Sequence, residues 1–325
     1  MQQKEFKRFI EEVDELTSAQ RKKVLILLTK KTALENTLDI INSRVAEKPK
    51  CPHCDCDCLR KWGKSKGVQR FKCSGCKKTF NALTGTALAG LWHRETWTNF
   101  AQTIKDGLSV RKAAESCGAH FTTMFRWRHR WLSRPSEHKG SAFHGIVEAD
   151  ETFFLESQKG SRTWAKAKRQ KEPMPSRKPR KRGGAASKRG LSKEQIPVLI
   201  VVDRHGTTTD SVLPAVSKEA IKAVLKPIIT KDTLLCTDGL KIYRTLAKEE
   251  GFAHQPLNMS AGTRVKERVF HIQTVNGYHS RLKQWLGRFN GIATKNLPNY
   301  LGWRRLLENQ GDKLKPSTIL AMALG

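Results

Sequence analysis

The chain has 325 residues, with 61 Lys and Arg against 30 Asp and Glu, for a formal net charge of +31. That length allows one large domain and one or two small ones without disulfides. A positive excess spread along the chain points to a polyanion, because neutralising DNA phosphates releases condensed counterions. No apolar run approaches the roughly 18 residues needed to span a bilayer, and MQQKEFKRFIEEVDEL has no signal-peptide core; both exclude a membrane and set the expectation of a cytoplasmic, nucleoid-associated protein.

Residues 1–45 read as a helical segment. Phe6, Phe9, Ile10 and Val13 form one stripe, Val24, Leu27, Leu28 and Leu34 another, and Thr17 to Gln20 has capping-box spacing between them. The segment can be a helical hairpin, an oligomerisation element or a solvated amphipathic pair.

Residues 46–82 carry six of the eight cysteines. Cys51-Pro-His-Cys54 and Cys73-Ser-Gly-Cys76 have the two-residue gaps and the long separation of a structural Zn2+ site, with LRKWGKSKGVQRFK as a hairpin turning near Lys66-Gly67, a zinc ribbon. Cys51, Cys54, Cys73 and Cys76 are the expected ligands, since that gap lets backbone N–H groups aim at sulfur. Cys56, Cys58 and His53 are nearby alternatives to the first pair. Ribbon cations, Arg70 among them, lie beside aromatic residues as nucleic-acid contacts require.

Residues 90–135 read as three short helices. In LSVRKAAESCGAHFTTMFRWRHRWLS one helix starts after Ser109, Gly118 breaks it, and another runs from about Thr122, the pattern of a helix-turn-helix. Met124, Trp127 and Trp131 make an inward stripe, and Arg126, Arg128 and Arg130 are expected to point outward to DNA phosphates or base edges. A three-helix linker with a charged face is the plainer reading.

From about residue 145 the pattern becomes strand-like, in GIVEADETFFL, IPVLIVVD, TTTDSVLPA and TLLCTDG, with helices near 217–228, 241–250 and 272–309. This is a mixed α/β layer fold. Residues 157–193 between the first two strands are dense in Lys and Arg and nearly free of aliphatics, so a mobile basic loop is expected, either folding onto DNA or remaining a solvated linker. Asp150 sits among apolar residues, where a carboxylate costs desolvation unless it binds a cation. Asp238 ends another apolar strand, where α/β sheets place functional groups. Side by side, the two can hold Mg2+ or Mn2+ ions about 3.5 to 4 Å apart for phosphoryl transfer. Alternation turns Glu151 away from Asp150 and leaves Glu148 on its face as a possible outer acid.

These motifs together resemble bacterial insertion-sequence transposases with a zinc ribbon, a helix-turn-helix and an RNase H-like core of the DDE kind. The likeness runs through CPHC, RFKCSGCKKTFNALTGT, SVRKAA, EADET, CTDGLKIY, TVNGYHSRLKQWL and YLGWRRLLEN. It implies an α/β architecture, an RNase H-like mixed sheet with flanking helices over residues 143–310, followed by a C-terminal tail at 311–325. It implies Asp150 as first acid, Asp238 as second, and Asn276, where the family often has Glu, as the third metal position. Lys283, two helical turns after Asn276, is implied to hold a DNA phosphate, and His279 is a DNA contact, a support of the site or a packing histidine. The implied partners are double-stranded DNA, both terminal repeats and target, and a second subunit, since two DNA ends must meet. A transposase-derived regulator without activity is the alternative that Asn276 raises, and a structure-specific nuclease is a third reading.

Overall fold

The computed structural model describes residues 2–325 apart from 48, 173–183, 189, 231, 258–261 and 263, and apart from the side chains of 46 and 47. The chain divides into two units, one of Met1–Trp131 with Leu314–Gly325, the other of Leu132–Lys313.

In the first unit, helix α1 (Gln3–Asp14) is followed by the long helix α2 (Ser18–Glu47). The capping box forms: Thr17 N–H donates to Gln20 Oε1 at 2.8 Å and Gln20 N–H to Thr17 Oγ1 at 3.4 Å. The C-terminal part of α2 is anchored, with Thr37 and Ile41 fully buried. Strands β1 (Leu59–Ser65), β2 (Val68–Cys73) and β3 (Thr79–Asn81) form a three-stranded antiparallel sheet. The β1–β2 turn falls at Lys66 (φ 50°) and Gly67 (φ 79°), and a Cβ on Gly67 would lie 2.6 Å from Leu38 of α2. Glycine takes this left-handed backbone without strain and leaves the space to the Leu38 side chain.

Helices α3 (Trp97–Lys105), α4 (Val110–Cys117) and α5 (Phe121–Trp131) follow. Ser109 Oγ accepts from Lys112 N–H at 3.3 Å to start α4, and Gly118 (φ 60°) ends it. Trp97 and Phe100 of α3 meet Trp127 and Trp131 of α5 edge to face, with centroids 5.2 to 6.4 Å apart. Met124, Trp127 and Trp131 are all buried, as their spacing predicts.

The second unit opens with α6 (Ser133–Glu137) and the long strand β4 (Gly145–Leu155). Within the 157–193 stretch, expected as a mobile basic loop, α7 (Arg162–Gln170) forms a helix. Ser161 caps it through Trp164 N–H at 3.4 Å and Ala167 is buried, so a local cap and one small apolar anchor order a segment that composition alone would leave as coil. Residues 173–183 and 189 of that stretch lie outside the described residues.

Strands β5 (Gln195–Asp203) and β6 (Thr208–Val212) continue antiparallel from β4; helix α8 (Lys218–Leu225) leads to β7 (Thr233–Thr237), and α9 (Lys241–Glu250) to β8 (Ala253–Pro256). The sheet order is β6-β5-β4-β7-β8, with β4–β7 and β7–β8 parallel, an RNase H-like mixed sheet. Val147, Ala149, Leu199 and Val201 pack with Ile221, Leu225, Tyr243 and Leu246, which puts α8 and α9 on one face. After the short β9 (Val265–Lys266) and β10 (Phe270–His271), α10 (Gln273–Gly287) covers β4 and β5, and α11 (Leu297–Gln310) packs on α6 and β6. Trp285, Tyr300 and Trp303 pack between α10 and α11, the Trp pair 5.0 Å apart.

The 311–325 segment, expected as a tail, returns to the first unit as α12 (Pro316–Leu324), which packs on α3 and α2. Ile319, Leu320, Ala323 and Leu324 are buried there, because their helical spacing gives the segment an apolar face. No helix of the described residues is long and apolar enough to cross a membrane.

Candidate functional site: an acidic pair between two strands

Register brings Asp150 and Asp238 together. β4 and β7 run parallel with Glu148 opposite Cys236. Two residues further along each strand stand Asp150 and Asp238, on strands that sheet geometry spaces about 4.8 Å apart. Asp238 lies just past the C-terminal end of β7, in a turn whose Gly239 has φ 84°; its Oδ1 accepts from Leu240 N–H at 3.1 Å.

The Asp150 side chain is 19% exposed. Burial, then the neighbouring Asp238 charge and that of Glu151, push its carboxyl up from 3.8 to about 7, against smaller opposing effects of the Glu151 backbone and Lys283. Two acids are thus packed together with little cationic compensation, an arrangement that favours a bound cation.

Helix α10 lines the other side. His279 Nδ1 is 3.7 Å from Asp150 Oδ2, and Lys283 is close enough to act on the same carboxyl. Burial and then Lys283 hold the His279 imidazole down at about 4, so it is neutral near pH 7 and the contact is no ion pair. Its Nε2 is buried and has no hydrogen-bond partner among the described residues. Asn276 lies in the first turn of α10, half-buried. Positions 276, 279 and 283 share one helical face, so Asn276 lies on the face whose later members reach Asp150.

Glu148 explains why α10 sits there. It is fully buried, and its carboxylate accepts from Thr274 Oγ1 at 2.8 Å and Val275 N–H at 2.9 Å at the start of α10. Arg204 Nη1 pairs with it at 2.7 Å, and His271 Nδ1 lies at 3.3 Å. A carboxylate at a helix N-terminus meets unsatisfied N–H groups and the positive end of the dipole. Glu148 therefore fixes the helix bearing Asn276 to the strand bearing Asp150. Glu151 faces the other side and accepts from Tyr243 Oη at 2.6 Å. Arg204, His271, Thr274 and Tyr243 carried no signal in sequence beyond closeness to the motifs.

In the ribbon, the ligand atoms of Cys51, Cys54, Cys73 and Cys76 all lie within 4.8 Å of one another. Sγ separations of 3.7 Å for Cys51–Cys76 and 3.6 Å for Cys54–Cys73 exceed the ~2.05 Å of a disulfide and match the ~3.8 Å edge of a tetrahedron with 2.3 Å Zn–S bonds. Backbone N–H groups of Cys76 and Gly75 aimed at Cys73 hold its thiol low, at about 6, as a thiolate ligand requires. This cluster is compatible with a zinc ribbon. Cys56 and Cys58 lie outside it and form a separate group with Asp57. Arg70, half-buried on β2, donates to Thr79 Oγ1 at 3.3 Å, while Lys66 and Lys72 sit 3.5 and 4.5 Å from the Trp92 and Trp62 ring centres.

The three arginines of α5 part ways. Arg126 is exposed as expected. Arg128 does not face outward: its side chain is fully buried and Nη2 donates to the Leu108 carbonyl at 2.7 Å, tying α5 to the start of α4. Arg130 is half-buried, with Nη2 donating to Ala89 O at 2.6 Å. Both give donors to backbone carbonyls, a structural use of the guanidinium.

Comparison with known proteins adds three findings. The uncharacterized protein of transposable element ISH50 from Halobacterium salinarum is 26% identical over 282 residues, covering 84% of this chain and 91% of that one. The solved structure of a pre-cleavage Mos1 transpososome is 12% identical, with 66% of this chain and 77% of that one covered and a TM-score of 0.21. The model of the ISXO2-like transposase domain matches residues 142–304, the stretch that contains Asp150, Asp238, Asn276 and Lys283. With half its length accounted for in this way, the chain belongs to the ISXO2-like transposases.

Proposed function

We propose that this transposase binds the ends of its element and cleaves and joins DNA strands at a divalent-metal site made by Asp150, Asp238 and Asn276. The observation that carries the reading is the half-buried Asp150 carboxyl set beside Asp238, pushed up to about 7 by desolvation and by the Asp238 charge. A cation relieves both effects, and the two carboxylates supply its charge while the Asn276 carbonyl adds a neutral oxygen. Bound Mg2+ or Mn2+ supplies Lewis-acid activation of the attacking oxygen and stabilisation of the leaving one. Lys283, exposed on the same helix face, holds a DNA phosphate beside the acids. Glu148 keeps α10 in place, and neutral His279 packs against Asp150 without competing for its charge.

DNA binding is assigned to the +31 chain through exposed Arg126 and the ribbon cations around Trp62 and Trp92. Buried Arg128 is no longer among the contacts. Zn2+ at Cys51, Cys54, Cys73 and Cys76 holds the ribbon, whose core is too small to stand alone. Two element ends have to be held at once, so a dimer at least is expected on DNA.

The test is an assay with a duplex carrying an inverted repeat that flanks the coding region, a target duplex and Mg2+. Cleavage and joining are expected, and Asp238→Asn is expected to abolish both while leaving duplex binding intact. Unaltered joining by Asp238→Asn refutes the assignment. Binding without any cleavage by the unaltered chain favours an inactive regulator.

A further inference from the structure

The first two helices leave a large apolar surface uncovered. Among the described residues, seven of the fifteen large hydrophobic side chains that stand exposed lie between Phe6 and Leu28. Phe6, Phe9 and Ile10 of α1 are 49%, 38% and 46% exposed, and the α2 run Leu25 to Leu28 is 46% to 67% exposed. Exposed large apolar side chains gathered in one stretch of chain point to an interaction site.

The α2 run constrains what can cover it. Val24 to Leu28 are five consecutive apolar residues, and at about 100° per residue they go all the way round the helix. A helix that is apolar on every side belongs inside a bundle. One neighbouring helix shields one side, and α1 keeps its own stripe exposed. At least two more helices are needed.

Charge selects their source. In a chain of net charge +31, residues 3–15 hold five acids (Glu5, Glu11, Glu12, Asp14, Glu15) against three bases, while residues 18–31 hold five bases and no acid. The apolar stripe of α1 is thus flanked by negative charge and the apolar band of α2 by positive charge. A second copy, related by a two-fold axis, presents its acidic α1 to the basic α2 of the first and the reverse, a self-complementary contact.

We infer that α1 and the N-terminal half of α2 are a dimerisation module, in which these helices of two copies come together around Phe9, Ile10 and Leu25–Leu28. The contact needs no DNA and no catalytic metal, so it stands or falls separately from the proposed chemistry.

Sedimentation and light scattering of the full chain, free of DNA, test this. A dimer is expected at micromolar concentration. The double substitution Leu25→Glu/Leu28→Glu is expected to give a monomer that keeps its helical content, its zinc and its binding to a single element end. Because that variant can fail through local unfolding, charge reversal supplies a second arm. Glu11→Lys/Glu12→Lys and Lys22→Glu/Lys23→Glu should each weaken self-association at least tenfold, and an equimolar mixture should recover dimers. An unaltered chain that stays monomeric, a dimer indifferent to Leu25→Glu/Leu28→Glu, or a mixture no better than its components overturns the inference. A monomeric result would assign the surface to a different partner.

Discussion

Replacing Asp150 by Asn should stabilise the protein in the absence of added divalent metal. Burial and Asp238 carry the carboxyl from 3.8 to about 7. At about 1.4 kcal/mol per tenfold change in proton affinity, ionised Asp150 costs the folded state on the order of 4 kcal/mol at pH 8. The folded carboxyl keeps its proton up to near pH 7 while the unfolded one releases it near 3.8. Stability therefore falls as pH rises through that window, and the cost is complete above it; at pH 5 less than half remains. Asn removes the charge and relieves Asp238 at nearly constant volume. For a unit of this size about 4 kcal/mol corresponds to a rise in Tm on the order of 8 to 15 °C at pH 8, with a smaller rise at pH 5. Thermal denaturation of both proteins without magnesium or manganese, at pH 5 and pH 8, measures the difference. A variant no more stable than the unaltered chain at pH 8, or a gain that does not grow with pH, refutes the view that Asp150 is a strained, cation-seeking acid.

Glu148→Gln should be harmful although Glu148 is no proposed ligand: it removes the charge that Arg204, Thr274 and Val275 meet at a buried position, a loss of about 1.5 to 3 kcal/mol, so Tm drops by several degrees, and an unchanged Tm would contradict the network. Arg126→Ala should leave Tm unchanged and lower the salt dependence of DNA binding by about one counterion, whereas Arg128→Ala should lower Tm by several degrees through its buried contact to Leu108; titrations at several salt concentrations beside melting curves separate the two. Elemental analysis should find one zinc per chain, retained in Cys56→Ser and Cys58→Ser and lost in Cys73→Ser; two zinc ions per chain would bring the Cys56–Cys58 group into the site.

The acidic pair was legible in sequence because Asp150 interrupts one apolar strand and Asp238 follows the end of another, and parallel pairing of β4 with β7 then sets them level. The ribbon was legible from cysteine spacing, and the α4–α5 turn from Ser109 and Gly118, all local signals. What stayed hidden depended on distant partners. Glu148 meets Thr274 and Val275 across more than 120 residues, and no periodicity records such a contact. Arg128 looked like a surface cation because its acceptor, the Leu108 carbonyl, belongs to a turn twenty residues earlier. Position misled at the C-terminus, where Pro316–Leu324 has the apolar spacing of a packed helix but stands last in the chain.

Calorimetric titration of Mn2+ into the zinc-loaded chain bears most directly on the central claim that Asp150 and Asp238 act together on a metal. Saturable binding is expected for the unaltered protein, weakened at least tenfold by Asp150→Asn and equally by Asp238→Asn, with ribbon zinc unchanged in both. Undiminished Mn2+ binding in either variant would contradict a shared site.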